Sequence, residues 1–383
     1  MSKLAGRMAH IRAFEVMRLL EEAKRMEAQG QSIIHMEIGE PDFESPPQIV
    51  EAGIEALKLG RTHYVPALGL PELRQAISDF YCSQYQVQVD PARIIITPGA
   101  SGALLLAFSL FVEPGSEVFL SDPGYPCNRN FVSLLGGKPV SLPVDAQSAY
   151  QLSCAMLAQH WNTRSRVALL SSPSNPTGTL VPVNELKAMM AFIAERQGTL
   201  IVDEIYQGLL YGTQPETALK YSDDVFIINS FSKYFGMTGW RIGWMVVPEE
   251  YVAGVEKLAQ NLFISTSTPA QYAALAAFSA DVLSELEHRR SVFQTRRDYL
   301  VNALKTLGLH VPIVPQGAFY VYANCSAFCS DSYQWCNDML KQAGVAVTPG
   351  IDFGQHLANQ HVRFAYTTSM EKLEEGIARL KAV

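Results

Sequence analysis

Ser230-Phe231-Ser232-Lys233-Tyr234-Phe235-Gly236-Met237-Thr238-Gly239-Trp240-Arg241-Ile242-Gly243 is the stretch on which the reading of the chain turns. Two hydroxyls precede a lysine, an arginine follows it, and most other positions are apolar or glycine. Val225-Phe226-Ile227-Ile228-Asn229 before it and Trp244-Met245-Val246-Val247 after it read as buried strands. Lys233 therefore stands on a connection between two core strands, where an ammonium without a partner is expensive to bury. A lysine in apolar surroundings can lose its proton and condense with an aldehyde to a Schiff base. Ser230, Ser232 and Arg241 offer what a phosphate needs, hydroxyl donors and a planar cationic fork. An aldehyde and a phosphate on one small molecule describe pyridoxal phosphate. The competing reading is a surface turn with an ordinary basic pair.

The bulk of the chain narrows the choice. Its 383 residues, 48% of them hydrophobic, can bury a large core and suggest one big domain with a smaller one, or two domains. The net charge is −7 and both signs are interspersed, so no basic stripe points to nucleic acid. Six cysteines lie scattered without a Cys-x-x-Cys pair, which suits reduced thiols in a cytoplasmic protein. The eight histidines form no His-Glu-x-x-His pattern, and no metal site is expected. Arg7, Arg12, Glu15, Arg18, Glu21, Glu22, Lys24 and Arg25 interrupt any apolar leader. Residues 94–112 carry no charge, but Thr97-Pro98-Gly99 divides them into a strand and a buried helix. No membrane span is expected there.

Read in order, residues 11–29 have helical spacing, and residues 32–38 look extended up to Gly39-Glu40-Pro41-Asp42-Phe43. That turn can bring backbone close to a ligand, or be a plain turn. Helices follow at 47–59 and from Pro71, with Tyr64 in the loop between them. Arg93-Ile94-Ile95-Ile96-Thr97 leads into Gly99-Ala100-Ser101-Gly102 at a helix start, where small residues leave amides open to an anion. Glycine and serine there could equally be an ordinary cap. Tyr125 follows a strand at 117–120, and Asn175 follows a strand at 167–170. A helix at 184–195 precedes Thr199-Leu200-Ile201-Val202, and Asp203-Glu204-Ile205-Tyr206 stands at that strand's end. Alternating strands and helices give an α/β fold with a mostly parallel sheet flanked by helices. Past residue 280 the pattern changes to a long helix at 283–307 and short extended segments at 310–314, 317–322, 345–350 and 361–366. A closing helix follows at 372–381.

With these motifs assembled, the chain resembles the fold-type-I pyridoxal-phosphate aminotransferases, class I/II, in the aspartate/aromatic/alanine aminotransferase-like branch. The likeness covers nearly the whole length. It rests on Gly39-Glu40-Pro41-Asp42-Phe43, Tyr64 with Pro71-Glu72-Leu73-Arg74, Pro98-Gly99-Ala100-Ser101-Gly102, Asn175-Pro176-Thr177-Gly178, Asp203-Glu204-Ile205-Tyr206, the 230–243 stretch and Arg363. The resemblance implies a Lys233 aldimine with pyridoxal 5'-phosphate, Lys233 then shuttling the proton. Unperturbed lysine, near ~10.4, is too basic for that task. It further implies Asp203 at the pyridine nitrogen, Tyr206 and Asn175 at the phenolic oxygen, and Tyr125 on the ring face. The phosphate would meet Ala100, Ser101, Ser230, Ser232 and Arg241, with Tyr64 reaching over from the other subunit of a homodimer. Arg363 would pair with the substrate carboxylate beside Gly39 and Asn175. Residues 45–280 would form the large cofactor-binding domain, and 1–44 with 281–383 a smaller α+β domain.

One departure bears on substrate. Some aspartate-using relatives carry a basic residue where this chain has Ser101, and residues 261–271 contain no cation. A neutral or aromatic amino donor is therefore expected ahead of aspartate, with 2-oxoglutarate or pyruvate as acceptor in a ping-pong reaction. The alternative is a carbon–sulfur lyase or related lyase on the same fold. A non-catalytic cofactor-binding regulator has no basic helix-turn-helix segment to support it.

Overall fold

The computed structural model describes residues 4–383. In chain order the strands are β1 (Ile34–His35), β2 (Ile94–Thr97), β3 (Glu117–Asp122), β4 (Lys138–Pro143), β5 (Ser165–Ser171) and β6 (Thr199–Asp203). They continue with β7 (Phe226–Ser230), β8 (Gly243–Val246), β9 (Tyr320–Asn324), β10 (Val345–Ala346), β11 (Thr348–Pro349) and β12 (His361–Ala365). Seven of them form one sheet in the order β2-β8-β7-β6-β5-β3-β4. Strand β8 runs antiparallel to both its neighbours, and every other pairing in the sheet is parallel. The α/β expectation with a mostly parallel sheet is met.

The alternation of side chains explains the layers. Ile94 and Ile96 share one core with Ile227, Trp244 and Val246, while Ile95 joins Ile201, Ile228 and Met245 on the opposite face. Successive strand residues point to opposite faces, so a run that is apolar at every position demands cover on both sides. The helix Gly99–Phe111 supplies cover on one side with Ala103, Leu106 and Ala107. The helix Pro71–Tyr85 supplies it on the other with Leu73, Ile77 and Tyr81. Strand β4 is not legible as a strand from sequence, because Pro139 and Pro143 interrupt it. Proline cannot donate to a ladder, and β4 is an edge strand, where that loss is tolerated.

The C-terminal part adds a three-stranded antiparallel sheet, β11-β12-β9, and a two-stranded parallel pairing of β1 with β10. The 28-residue helix Ala280–Leu307 joins this part to the large sheet. Val282 and Leu286 belong to the core under the large sheet, and Phe293, Leu300 and Leu304 to the core behind β9 and β12.

Three boundaries differ from the sequence reading. The N-terminal helix runs Glu15–Ala28, preceded by a short 3-10 turn at Gly6–His10, so residues 11–14 are extended. Of the extended segment 32–38 only Ile34–His35 forms a strand. Residues 310–314 form no strand: a bridge from His310 to Asn324 holds them, and Pro312 breaks a longer ladder. Residues 94–112 are strand, turn and helix as expected, and among the described residues no helix is long and apolar enough to cross a membrane.

Candidate active site

The parallel strands deliver their last residues to one edge of the sheet, where ligands of open α/β sheets gather. Asp203 closes β6 and is buried. Burial pushes its carboxyl up to about 6, while the Ile205 amide at 3.1 Å, the Ser171 hydroxyl at 3.5 Å and the charge of Lys233 pull the other way. Ser230 closes β7, and its Oγ lies 3.0 Å from Ser232 Oγ and accepts the Ser232 amide at 3.1 Å. The two hydroxyls thus form one small polar surface.

The loop from β7 to β8 is held by its own apolar residues. Phe231, Phe235 and Met237 are buried in the large core, and the Met237 amide donates back to the Phe231 carbonyl at 3.0 Å. Lys233 is left to point into the cavity, where its Nζ donates to the Gly39 carbonyl at 2.7 Å. Burial pulls its amine down to about 8, against the raising influence of Glu40. The turn after Gly39 is pinned to the same loop, Thr238 Oγ1 donating to Glu40 at 2.6 Å and Trp240 Nε1 to Ser45 at 3.0 Å.

Arg241 sits in the left-handed region with φ 53° and donates to the Thr238 carbonyl at 3.0 Å and toward Ser232 Oγ at 3.5 Å. Its guanidinium lies over the start of the Gly99–Phe111 helix. A Cβ on Gly99, whose φ is +67°, would come within 2.7 Å of Arg241 Nη2. A Cβ on Gly243 would come within 3.0 Å of the Ala100 nitrogen. Both glycines are therefore required by close approach, and the helix opens with no side-chain cap on its first amides.

Arg363 reaches the cavity from β12 and is 4% exposed. Its Nη1 donates to Asn175 Oδ1 at 2.9 Å, and Nη2 donates to the Glu37 carbonyl and toward Thr348 Oγ1 at 3.4 Å. The guanidinium is stacked between Tyr320, at 4.3 Å, and Phe353, at 4.7 Å. Its Nε is buried without a hydrogen-bond partner. A buried unpaired donor on a charged group is costly and marks a place for an anion. Tyr206 and Tyr320 share a hydrogen bond at 2.9 Å, and burial holds both phenols above the usual range, as it does Tyr125.

These groups line one cavity of about 260 Å³. It collects Gly39, Ala100, Ser101, Tyr125, Asn175, Asp203, Tyr206, Ser230, Ser232, Lys233, Arg241 and Arg363. Tyr64 lies outside it, on the surface and 79% exposed. Sequence reasoning did not single out Phe14, Val16, Met17, Ile38, Leu104, Ser171, Tyr320, Asp352 or Phe353, which also line the cavity. Most of these are apolar and look like any core residue. Tyr320, next to the Gly317-Ala318-Phe319 run, had only its place in an extended segment to mark it.

The donor set fits pyridoxal phosphate. A depressed lysine and a buried carboxylate share the cavity, and hydroxyls, an arginine and an uncapped helix start form a cradle that a Cβ at residue 99 or 243 would fill.

Comparison with known proteins agrees. A family model for aminotransferases of class I and II matches residues 31–380. The chain is 38% identical over 381 residues to a (5-formylfuran-3-yl)methyl phosphate transaminase of Methanocaldococcus jannaschii, covering 99% of this chain and 98% of the other. It is 36% identical over 363 residues to a valine–pyruvate aminotransferase of Mycobacterium tuberculosis, covering 94% and 93%. The crystal structure of an aminotransferase from Mycobacterium tuberculosis superposes with a TM-score of 0.95 at 35% identity, covering 100% of this chain and 99% of that one.

Proposed function

This chain belongs to the class I and II aminotransferases, and we propose that it moves the amino group of a neutral or aromatic L-amino acid to a 2-oxo acid such as 2-oxoglutarate or pyruvate. The observation that carries this reading is the joint placement of Lys233, Asp203 and Arg363 around one cavity. The valine–pyruvate relative supports a neutral donor.

Pyridoxal phosphate, when bound, supplies an aldehyde for the amine and an electron-withdrawing ring. The residues that would hold it are those of the β-strand ends. The Ala100 and Ser101 amides, Ser230, Ser232 and Arg241 take the phosphate, as a helix start and a guanidinium favour an anion. Asp203 would meet the ring nitrogen, where a cation against its buried carboxylate would draw the pKa back down and favour the proton on nitrogen. Tyr206 and Asn175 would offer a hydroxyl and an amide to the phenolic oxygen, and Tyr125 would cover the ring face. Lys233 Nζ is close enough to neutral, at about 8, to accept a proton and return it. Arg363 would take the α-carboxylate with its guanidinium, and stacking on Tyr320 and Phe353 fixes its plane. Gly39 presents backbone beside it.

Three features support the remaining assignments. The helix Ala280–Leu307 spans two cores, which suits a division into residues 45–280 and a smaller unit of 1–44 with 281–383. Ile54, Leu57 and Leu59 are exposed on and after the helix Pro47–Lys58, near Tyr64 in sequence. An apolar strip of this kind suits a homodimer in which Tyr64 serves the other subunit's phosphate. The six cysteines are all free thiols, in keeping with a reducing cytoplasm.

The test is to add single amino acids to the cofactor-loaded protein with no 2-oxo acid present. Transfer yields one equivalent of 2-oxo acid per site and no ammonia, with valine or phenylalanine ahead of aspartate. Continuous release of ammonia and 2-oxo acid would instead establish a lyase, and aspartate in first place would overturn the donor assignment.

A further inference from the structure

Part of the cavity wall comes from the start of the chain. Phe14, Val16 and Met17 line it, and the Phe14 ring meets Tyr125 edge-on at 6.3 Å. The helix Glu15–Ala28 receives no cap from its own N-cap residue, Phe14. Asp352 supplies one from a distant part of the sequence. Its Oδ1 accepts the Glu15 amide at 3.0 Å and its Oδ2 the Val16 amide at 3.3 Å. A carboxylate there satisfies free amides and meets the positive end of the helix dipole.

Asp352 is itself anchored. It ends the short turn Gly350–Asp352, is 5% exposed and lines the cavity. Arg129 fixes the turn, donating to the Asp352 carbonyl at 2.6 Å and to the Phe353 carbonyl at 3.0 Å. The next residue, Phe353, stacks on Arg363. One turn therefore bears on the proposed carboxylate site and on the N-terminal wall together. Neither Asp352 nor residues 14–17 have any other part in the chemistry above.

We propose that Asp352 is a positioning residue that sets amino-donor selectivity by holding Phe14, Val16 and Met17 as an apolar wall against the donor side chain. The inference rests on the aminotransferase reading of the cavity. It predicts a split between donors. A long apolar side chain gains from the wall, whereas the alanine methyl is too short to depend on it.

The experiment compares phenylalanine and alanine as donors for the cofactor-loaded enzyme, with hydrogen exchange of residues 14–18 followed in parallel. In Asp352→Ala, exchange of that segment accelerates. The kcat/KM for phenylalanine falls by about 10-fold or more, the scale of a lost apolar contact, while that for alanine changes by less than about 3-fold. Asp352→Asn keeps one acceptor for two amides and loses the charge, so both readouts fall between wild type and Asp352→Ala. Phe14→Ala lowers the phenylalanine-to-alanine ratio without freeing the helix start, and keeps the test decisive if Asp352→Ala does not fold. Equal losses for both donors in Asp352→Ala, unchanged exchange, or an unchanged ratio in Phe14→Ala would each overturn the proposal. A wild-type protein that transaminates neither donor removes the donor assignment on which the proposal rests, and is told apart because no variant is involved.

Discussion

The floor of the cavity and its cover are built in different ways. The floor is the edge of a seven-stranded sheet: Asp203, Ser230 and Ser232 are buried polar residues at strand ends, each tied to backbone within a few residues. The cover comes from residues 14–17, Tyr320, the turn at 350–353 and Arg363, brought together from both ends of the chain. Phe14 and Val16 are half-buried and Met17 is 47% exposed, and the segment hangs on Asp352 and on a 3.3 Å bond from Asn130 to the Arg12 carbonyl. Local opening takes least free energy where buried contacts are few, so residues 14–17 are the part of the cover suited to move. On the function proposed above, the comparison teaches a division of labour: the floor would fix which chemistry is done, and the cover on which amino acid.

The largest effect that can break this division is Lys233→Ala. It removes the attachment point and the proton carrier in one change, and turnover falls by about 10⁴-fold or more while phosphate binding at the floor persists. A turnover assay with equilibrium binding of a pyridoxal phosphate analogue checks both halves. Next is the pair Arg363→Ala and Arg241→Ala. Truncating a buried charged partner costs roughly 2–5 kcal/mol, so Arg363→Ala weakens amino-acid binding about 30-fold or more and leaves cofactor affinity near wild type. Arg241→Ala does the reverse, and equal losses in both variants would erase the distinction between floor and cover.

A pH effect comes third. The amine reacts only when neutral, and the folded Lys233 loses its proton around 8 rather than near its ordinary 10.5. Capture of pyridoxal phosphate by the cofactor-free protein therefore rises with pH, is half-maximal near 8, and below that falls by about tenfold per pH unit. A midpoint above 10 would contradict the buried placement. The smallest effect is Tyr320→Phe. It strips Tyr206 of its 2.9 Å partner, at a cost of about 1–3 kcal/mol for the hydroxyl left buried. Thermal unfolding should show a modest loss, while amino-acid KM changes little because the phenylalanine ring keeps its stacking on Arg363.

The floor was legible in the sequence because its chemistry is local. Asp203 follows an unbroken apolar strand, and Ser230, Ser232, Lys233 and Arg241 fall within one short run, so a polar residue out of place among apolar ones marks each. Arg363 was legible only through the family resemblance, since an arginine in an apolar strand is otherwise an edge residue. The cover was not legible. Phe14, Val16 and Met17 carry the signature of an ordinary amphipathic helix, and Asp352 that of an ordinary turn. Their roles exist only once the chain ends meet. Strand β4 was hidden for a related reason, its prolines being acceptable only at an edge that the sequence does not announce.

The central claim is that Lys233 is the residue through which the cofactor is held and the amino group passes. Its most direct test is borohydride reduction of the pyridoxal-phosphate-loaded protein, followed by peptide mapping, with and without prior addition of an amino donor. The account predicts a stable pyridoxyl adduct on the peptide containing Lys233, lost when the donor is added first and absent from Lys233→Ala. An adduct on another lysine, or an undiminished adduct in Lys233→Ala, would contradict it.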